Sequence, residues 1–366
     1  MKSDLVFFSY SDSQPTDGGM ARNHAFFLEM KKRGSRIYNH TSVGIHYRLF
    51  SIIRNIMLLL FLKGTNIFIL QTVLLKFIFP FGLFKFPVYR SFVLAVLNHA
   101  VKKNNVTIEI NDLLYEQGID LGAGMNKTAA AYQRFIFSHP TLQFVFASKL
   151  MGDYAVSHYK LGTKSWQTII NGAPTLNTGT PCHLKVGDPE KIRYIYAGTL
   201  NKGRDIEKLI EVFADKSGID LILIGIDGAW ISEFNYRNIH YLGQFDEETA
   251  LAIASQCDIG IIPYDEKKLY YNICYPTKNS FYIAAGLPIL CTPLRETMRV
   301  FENYPGTAFF ESVKNWDFFL TKTDKSDVIS AKGKVEKIKS ELKWDFLFAD
   351  LHFREMCQEY HLNSNA

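Results

Sequence analysis

Three cations in this sequence stand where a chain would place them to grip a diphosphate. Lys202 and Arg204 end the segment Tyr196-Ala197-Gly198-Thr199-Leu200-Asn201-Lys202-Gly203-Arg204, in which Gly198 and Thr199 close a predicted strand and a helix is predicted to start near Asp205. Glycine lets a backbone approach a ligand closely, and cations beside the unpaired N–H groups of a helix start suit an anion. Lys278 follows Pro276 and Thr277 at the start of another predicted helix, behind an aromatic loop whose Tyr271 and Asn272 are expected donor contacts. A lysine in a first turn opposes the helix dipole, so its place there predicts a bound anion, with Thr277 predicted to cap the helix. A third loop, Thr16-Asp17-Gly18-Gly19-Met20-Ala21-Arg22, follows the first strand and opens a helix, with Arg22 on its first turn. It lacks the GxGxxG spacing of dinucleotide sites.

Candidate bases lie in the other half of the chain. Glu109, Asn111 and Asp112 end the predicted strand Val106–Ile110, and Asp17 sits in the first glycine loop. A group transfer that inverts configuration needs a carboxylate to take a proton from the incoming hydroxyl. Asp112 is the first choice, ahead of Glu109, with 113–116 read as a loop on the acceptor side. The same Asp112 also fits a plain role as a turn cap. His24, His40 and His46 show no metal-ligand spacing, and no aspartate pair ends a strand, so no metal and no cofactor is expected. Cations and helix N-termini would then neutralise a leaving diphosphate.

These loops need a scaffold that brings strand ends together. Strands and helices alternate along the chain, first over 5–170 and again over 192–291, with Asn171-Gly172-Ala173-Pro174 as a turn and a loose Thr/Gly/Pro stretch over 175–188 between the two series. The reading is α/β: two Rossmann-like doubly wound domains over 1–174 and 175–340, then a C-terminal helical segment over 341–366 that crosses back to the first domain. Ligands of such sheets bind beyond the carboxyl ends of the strands, which predicts a site in a cleft that the two domains face.

Charge is divided unevenly. Residues 1–175 carry 19 Lys+Arg against 9 Asp+Glu, while the remainder carries 22 against 27. A basic half predicts an anionic partner surface. Between Ile52 and Leu97 the apolar runs Ile56–Leu62, Ile67–Leu70 and Leu74–Phe84 are interrupted by Lys63, Asn66, Gln71, Lys76 and Lys85, and none reaches 18 residues. That pattern predicts docking at a membrane surface rather than a span, with a buried strand and two helices as the plainer reading. The basic residues are interleaved with aliphatic runs instead of clustered on a helix, which makes a nucleic-acid protein a poor fourth reading and predicts no nucleic-acid partner. Five scattered cysteines without a CxxC pair predict reduced thiols in the cytoplasm.

Residues 192–295 resemble the C-terminal domain of bacterial GT-B glycosyltransferases. The pattern YAGTLNKGRDIEKLI, LILIG, IHYLGQFDEETALAIASQCDIGIIPY and YPTKNSFYIAAGLPIL is similar to theirs in order and spacing. It is most similar to the galactofuranosyltransferase and adhesin accessory glucosyltransferase group, and more loosely to the family 4 enzymes of capsule and lipopolysaccharide assembly. The resemblance implies a GT-B fold and a nucleotide-sugar donor, with UDP the expected nucleotide. It implies a hexose passed to a glycan or polyprenyl-linked acceptor at the inner face of the cell membrane. By the same resemblance Gly198, Thr199, Lys202 and Arg204 match the diphosphate loop. Gly225 and Gly243-Gln244-Phe245 match the wall around base and ribose, and Pro276, Thr277 and Lys278 match the donor-binding helix start. Gly18, Gly19 and Arg22 are the expected donor contacts of the first half. One position departs: Phe281 stands where many family 4 enzymes hold donor hydroxyls with a glutamate. A nucleotide-sugar 2-epimerase of the same plan and a non-catalytic partner of another transferase are the alternatives, and self-association is left open.

Overall fold

The computed structural model describes residues 4–11, 18–41, 44–162, 166–174, 184, 186–202 and 206–353. The chain forms two units: Met1–Ile170 with Phe348–Ala366, and Asn171–Leu347. Most of the predicted 175–188 linker, and the tail from 354 onward, lie outside the described residues.

The first unit is built on β1 (Asp4–Ser9), β2 (Arg36–Asn39), β3 (Thr65–Leu70), β4 (Asn105–Ile110), β5 (Gln143–Phe146) and β6 (Trp166–Thr168). They form one parallel sheet in the order β2-β1-β3-β4-β5-β6. Its helices are α1 (Gly18–Lys32), α2 (Ile45–Phe61), α3 (Gln71–Val73), α4 (Pro87–Val101), α5 (Leu114–Asp120), α6 (Lys127–Phe137) and α7 (Lys149–Tyr159). A π-helical turn over Leu74–Ile78 continues α3. Every residue of β3 is buried, as expected of a strand covered on both faces of a parallel sheet.

The second unit repeats the plan. Strands β7 (Ile192–Ala197), β8 (Ile219–Ile224), β9 (Ile239–Tyr241), β10 (Ile259–Ile262), β11 (Ile289–Cys291) and β12 (Ala308–Phe310) are parallel in the order β12-β11-β10-β7-β8-β9. They alternate with α8 (Ile206–Phe213), α9 (Glu247–Ala254), α10 (Leu269–Ile273), α11 (Thr277–Ala284) and α12 (Arg295–Phe301), and α13 (Trp316–Lys322), α14 (Lys325–Ile338) and α15 (Trp344–Leu347) follow β12. Apolar strand residues such as Tyr194, Leu221 and Ile261 pack with Leu209 and Phe213 of α8 and Trp316 of α13 in one core.

In each sheet the chain first builds outward on one side and then returns to the other side of the first strand. That reversal leaves a switch point between β1 and β3 in one sheet and between β7 and β10 in the other, where ligand crevices form in this class.

Three local expectations are corrected. Residues 113–116 are not a loop, because Leu114–Asp120 is helical and Glu116 turns inward to accept hydrogen bonds from Tyr159 Oη at 2.6 Å and Gln133 Nε2 at 2.7 Å. The predicted aromatic loop contains the helical turn α10. The C-terminal segment is helical only over Trp344–Leu347 and a 3-10 turn at Phe348–Asp350, within its described part.

Candidate functional site

At the β7/β10 switch point of the second unit, glycines allow three loops to close on one another. Gly198 follows β7 at φ +150° and donates its N–H to Ile224 O at 2.9 Å. Gly225 follows β8 at φ +142° and donates to Gly243 O at 2.8 Å. A Cβ on Gly225 would lie 1.8 Å from Gly198 O, so no other residue fits without moving the backbone. Tyr241 Oη donates to Gly225 O at 3.1 Å and ties the third loop in.

Lys278 lies directly over this glycine platform. A Cβ on Gly198 would be 2.5 Å from Lys278 Nζ. The ammonium donates to Tyr264 Oη at 3.0 Å and sits 5.1 Å and 5.5 Å from the ring centres of Tyr196 and Tyr264. No described carboxylate pairs with it. Pro276 occupies the N-cap of α11 and no side chain caps the helix, which corrects the expected capping by Thr277 at the first helical position. The site therefore combines a cation held by aromatic faces with an uncapped helix start, both favourable to an anion.

Lys202 is exposed and rests 5.3 Å from the centre of the Trp230 ring, whose Nε1–H donates to Leu200 O at 2.7 Å. Thr199 accepts a hydrogen bond at its carbonyl from Tyr196 Oη. Phe245, just past Gly243, is partly exposed, and Phe281 is half-buried on α11. Arg204 lies outside the described residues. Tyr271 stacks on Tyr264 with centroids 4.5 Å apart. Asn272 is corrected from a donor contact to a loop anchor: its Nδ2 donates to Glu266 O and Lys268 O, and its Oδ1 accepts from Arg295 N. Both ends of that amide are spent on the backbone.

In the first unit, polar groups gather at the carboxyl ends of β3 and β4. Gln71 Nε2 donates to Asp112 O at 3.0 Å while its Oε1 accepts from Asp112 N at 3.2 Å. Asn111 Nδ2 donates to Asp112 Oδ2 at 3.0 Å. Asp112 is half-buried. Gly18 and Gly19 open α1, and Asp17 lies outside the described residues.

Arg22 and Glu109, expected in separate roles, are partners of each other. Arg22 Nε donates to Glu109 Oε1 at 2.6 Å with both side chains fully buried, and Arg22 Nη1 donates to Ile169 O at 2.8 Å. Burial pushes the Glu109 carboxyl up, and the Arg22 guanidinium pulls it back. A charge consumed in this way serves the fold, so Arg22 is withdrawn as a donor contact and Glu109 as a base. Among the described residues no cluster of His, Cys, Asp or Glu is placed to hold a metal ion.

No family model and no curated protein matches the chain. Solved structures do. WaaG, a glycosyltransferase involved in lipopolysaccharide biosynthesis, superposes with a TM-score of 0.59 at 12% identity, covering 94% of this chain and 99% of WaaG. A glycosyltransferase from Rickettsia africae gives 0.55 at 10% identity, over 95% of this chain and 97% of its own. The N-terminal domain of a Candida albicans trehalose-6-phosphate phosphatase gives 0.59 at 9% identity, over 95% of both. The fold is GT-B.

Within this GT-B chain the sequence reading passed over two positioning residues. Tyr282 Oη accepts from Ala197 N at 2.9 Å and donates to Ile261 O at 3.3 Å, and so bridges β7 and β10 where their direct pairing has ended. Gly260 makes room for it, since a Cβ there would lie 2.2 Å from the Tyr282 ring. The other is Gln71, read from sequence only as a polar interruption. Its signal was a carboxamide directly after the apolar run Ile67–Leu70.

Proposed function

We propose that the protein is a glycosyltransferase that moves a hexose from a nucleoside diphosphate sugar, with UDP the expected nucleotide, to a glycan or polyprenyl-linked acceptor. Lys278 carries the reading: an ammonium without a carboxylate partner among the described residues, held over a glycine platform at a switch point. On this reading it receives the diphosphate, with Lys202 as a second, exposed cation. As the sugar–phosphate bond breaks, negative charge grows on the leaving diphosphate, and fixed cations with helix N–H groups stabilise it. Asp112 is the proposed acceptor-side base for an inverting reaction. Assembly of capsule, O-antigen or exopolysaccharide at the inner membrane face is the proposed setting, supported by the basic first half of the chain.

The test is to incubate the full chain with UDP-, GDP- and dTDP-hexoses and analyse the products by NMR. Release of nucleoside diphosphate with a hexose on water or on an added polyprenyl phosphate saccharide supports the reading. An epimerised nucleotide sugar with no nucleotide release would assign the alternative, a 2-epimerase. No conversion and no protection against thermal unfolding by any of these compounds would overturn both.

A further inference from the structure

Helix α2 is inside out. Its buried face carries Ser51 and Asn55 as well as Leu59, while Ile45, Leu49, Ile53, Met57 and Phe61, spaced four apart, form an exposed ridge with Phe50 beside it. Ile45 and Phe61 are each 69% exposed and Ile53 67%, at both ends and the middle of the helix. A helix on a globular surface normally turns its apolar stripe to the core. Here the inward polar face is tied down. Asn55 Nδ2 donates to Phe77 O and to His40 Nε2, each at 2.9 Å, and His40 Nδ1 meets Ser9 O at 2.9 Å. The orientation is thus fixed by buried hydrogen bonds, not by a loose fit. Helix α4 packs against α2 and exposes apolar residues of its own, Val88 at 83% and Phe92, with Phe86 and Leu83 exposed just before it.

The charge around this surface is one-sided. Residues 30–108, which contain α2, the π-helical turn and α4, hold twelve Lys+Arg and no Asp or Glu. Among them Arg48 and Lys63, next to Leu49 and close after Phe61 in the chain, and Lys85, between Leu83 and Phe86, are exposed. No helix of the described chain is long and apolar enough to cross a membrane. A helix of this length lying flat covers about 25 Å, enough to rest its ridge in the boundary between lipid headgroups and acyl chains while flanking cations meet anionic lipid.

We infer that α2 and the start of α4 dock this unit flat on an anionic bilayer surface. A second copy is the poorer occupant, since pairing this surface with itself would set two acid-free, cationic faces together. The inference deepens the proposed membrane setting but does not depend on glycosyl transfer, because its test reads binding alone. The protein is mixed at low salt with vesicles of phosphatidylcholine, or of phosphatidylcholine with an equal share of phosphatidylglycerol, and floated on a density gradient. Flotation with the mixed vesicles is expected, weakening as salt rises. Ile53→Glu, at an exposed position, is expected to lower partitioning at least about tenfold. Ile329→Glu, an equally exposed isoleucine of the second unit, is expected to float like wild type. Absence of flotation by the wild type, or equal flotation by Ile53→Glu, would overturn the inference. A lipid-free dimer that Ile53→Glu dissociates, without flotation of either protein, would assign the ridge to a second copy and overturn it too.

Discussion

Gln71 holds Asp112 by its backbone, with one end of a single carboxamide on the Asp112 carbonyl at 3.0 Å and the other on its N–H at 3.2 Å. The grip orients Asp112, two residues beyond the end of β4, while Asn111 donates to its carboxylate. A side chain fixed through its own main chain suits a base that must meet an acceptor hydroxyl at one angle.

Asp112→Asn is therefore expected to lower turnover by about 10²–10⁴-fold with UDP affinity unchanged. Gln71→Leu should lower kcat through lost orientation and leave the pH profile of the remaining activity in place. Single-turnover rates with calorimetric UDP binding check both. Turnover of Asp112→Asn within about threefold of wild type would return Asp112 to the role of a turn residue.

Lys278→Ala should weaken UDP binding by roughly 10- to 150-fold, the cost of one charge-assisted contact. Lys202→Ala should cost less, because Lys202 is exposed and rests on Trp230. Titration calorimetry of the three proteins ranks them.

The glycine platform predicts two different failures. Gly225→Ala puts a Cβ against backbone, 1.8 Å from Gly198 O, and should lower the melting temperature markedly or prevent folding. Gly198→Ala meets the end of the Lys278 side chain instead of backbone. It should fold with some strain and lose nucleotide affinity as the ammonium is displaced. Thermal melts with and without UDP separate the two.

The buried Arg22–Glu109 pair should behave as a stability element. Glu109→Leu leaves a buried guanidinium without its partner and is expected to cost about 3–5 kcal/mol. Replacing both, as Arg22→Met with Glu109→Leu, should recover most of that loss. Urea denaturation measures each, and an unchanged midpoint for Glu109→Leu would contradict the assignment.

His40 gives a pH signature. Burial, seconded by Arg54, lowers its pKa, so the folded protein keeps the ring neutral where an unfolded chain would protonate it below about pH 6.5. The unfolded state then binds more protons, so this stability is complete above that pH and is lost as pH falls below it, by at most about 1.4 kcal/mol per pH unit. His139, lowered by burial as well, adds in the same direction. His40→Gln should flatten the fall in urea midpoint between about pH 6.5 and 5.

The alternation of strands and helices was readable because each strand is a short apolar run bounded by turn residues. β7, for example, begins and ends at the residues its pattern marks. Gly198 and Lys278 stood out by their types at a strand end and a helix start, whereas Gly225 and Gly243 entered only through the resemblance to GT-B sequences. Arg22 and Glu109 misled because a charge next to a strand end looks accessible in one dimension. Their separation of 87 residues hid that they meet in the interior. Asn272 misled in the same way, since nothing in a sequence shows that both ends of an amide are taken by backbone. The polarity of α2 was half legible. The apolar runs interrupted by cations were visible, but only the buried Asn55–His40 contact shows which face turns outward.

One feature of the first unit reaches beyond the finished molecule. Arg33 Nη1 and Nη2 donate to the carbonyls of Leu351 and Phe348, 318 and 315 residues further on, and Phe348 and Phe353 cover Phe26 and Phe68. The half of the protein that leaves the ribosome first is thus the half that is completed last. At about 5–20 residues per second, the stretch from 170 to 348 takes on the order of 10–35 s to translate. Throughout that interval the nascent first sheet stands with one aromatic face uncovered and α2 already outward. A nascent chain in that state has two sticky surfaces, and a bilayer or a chaperone near the ribosome would shield one of them before the C-terminal segment arrives to shield the other.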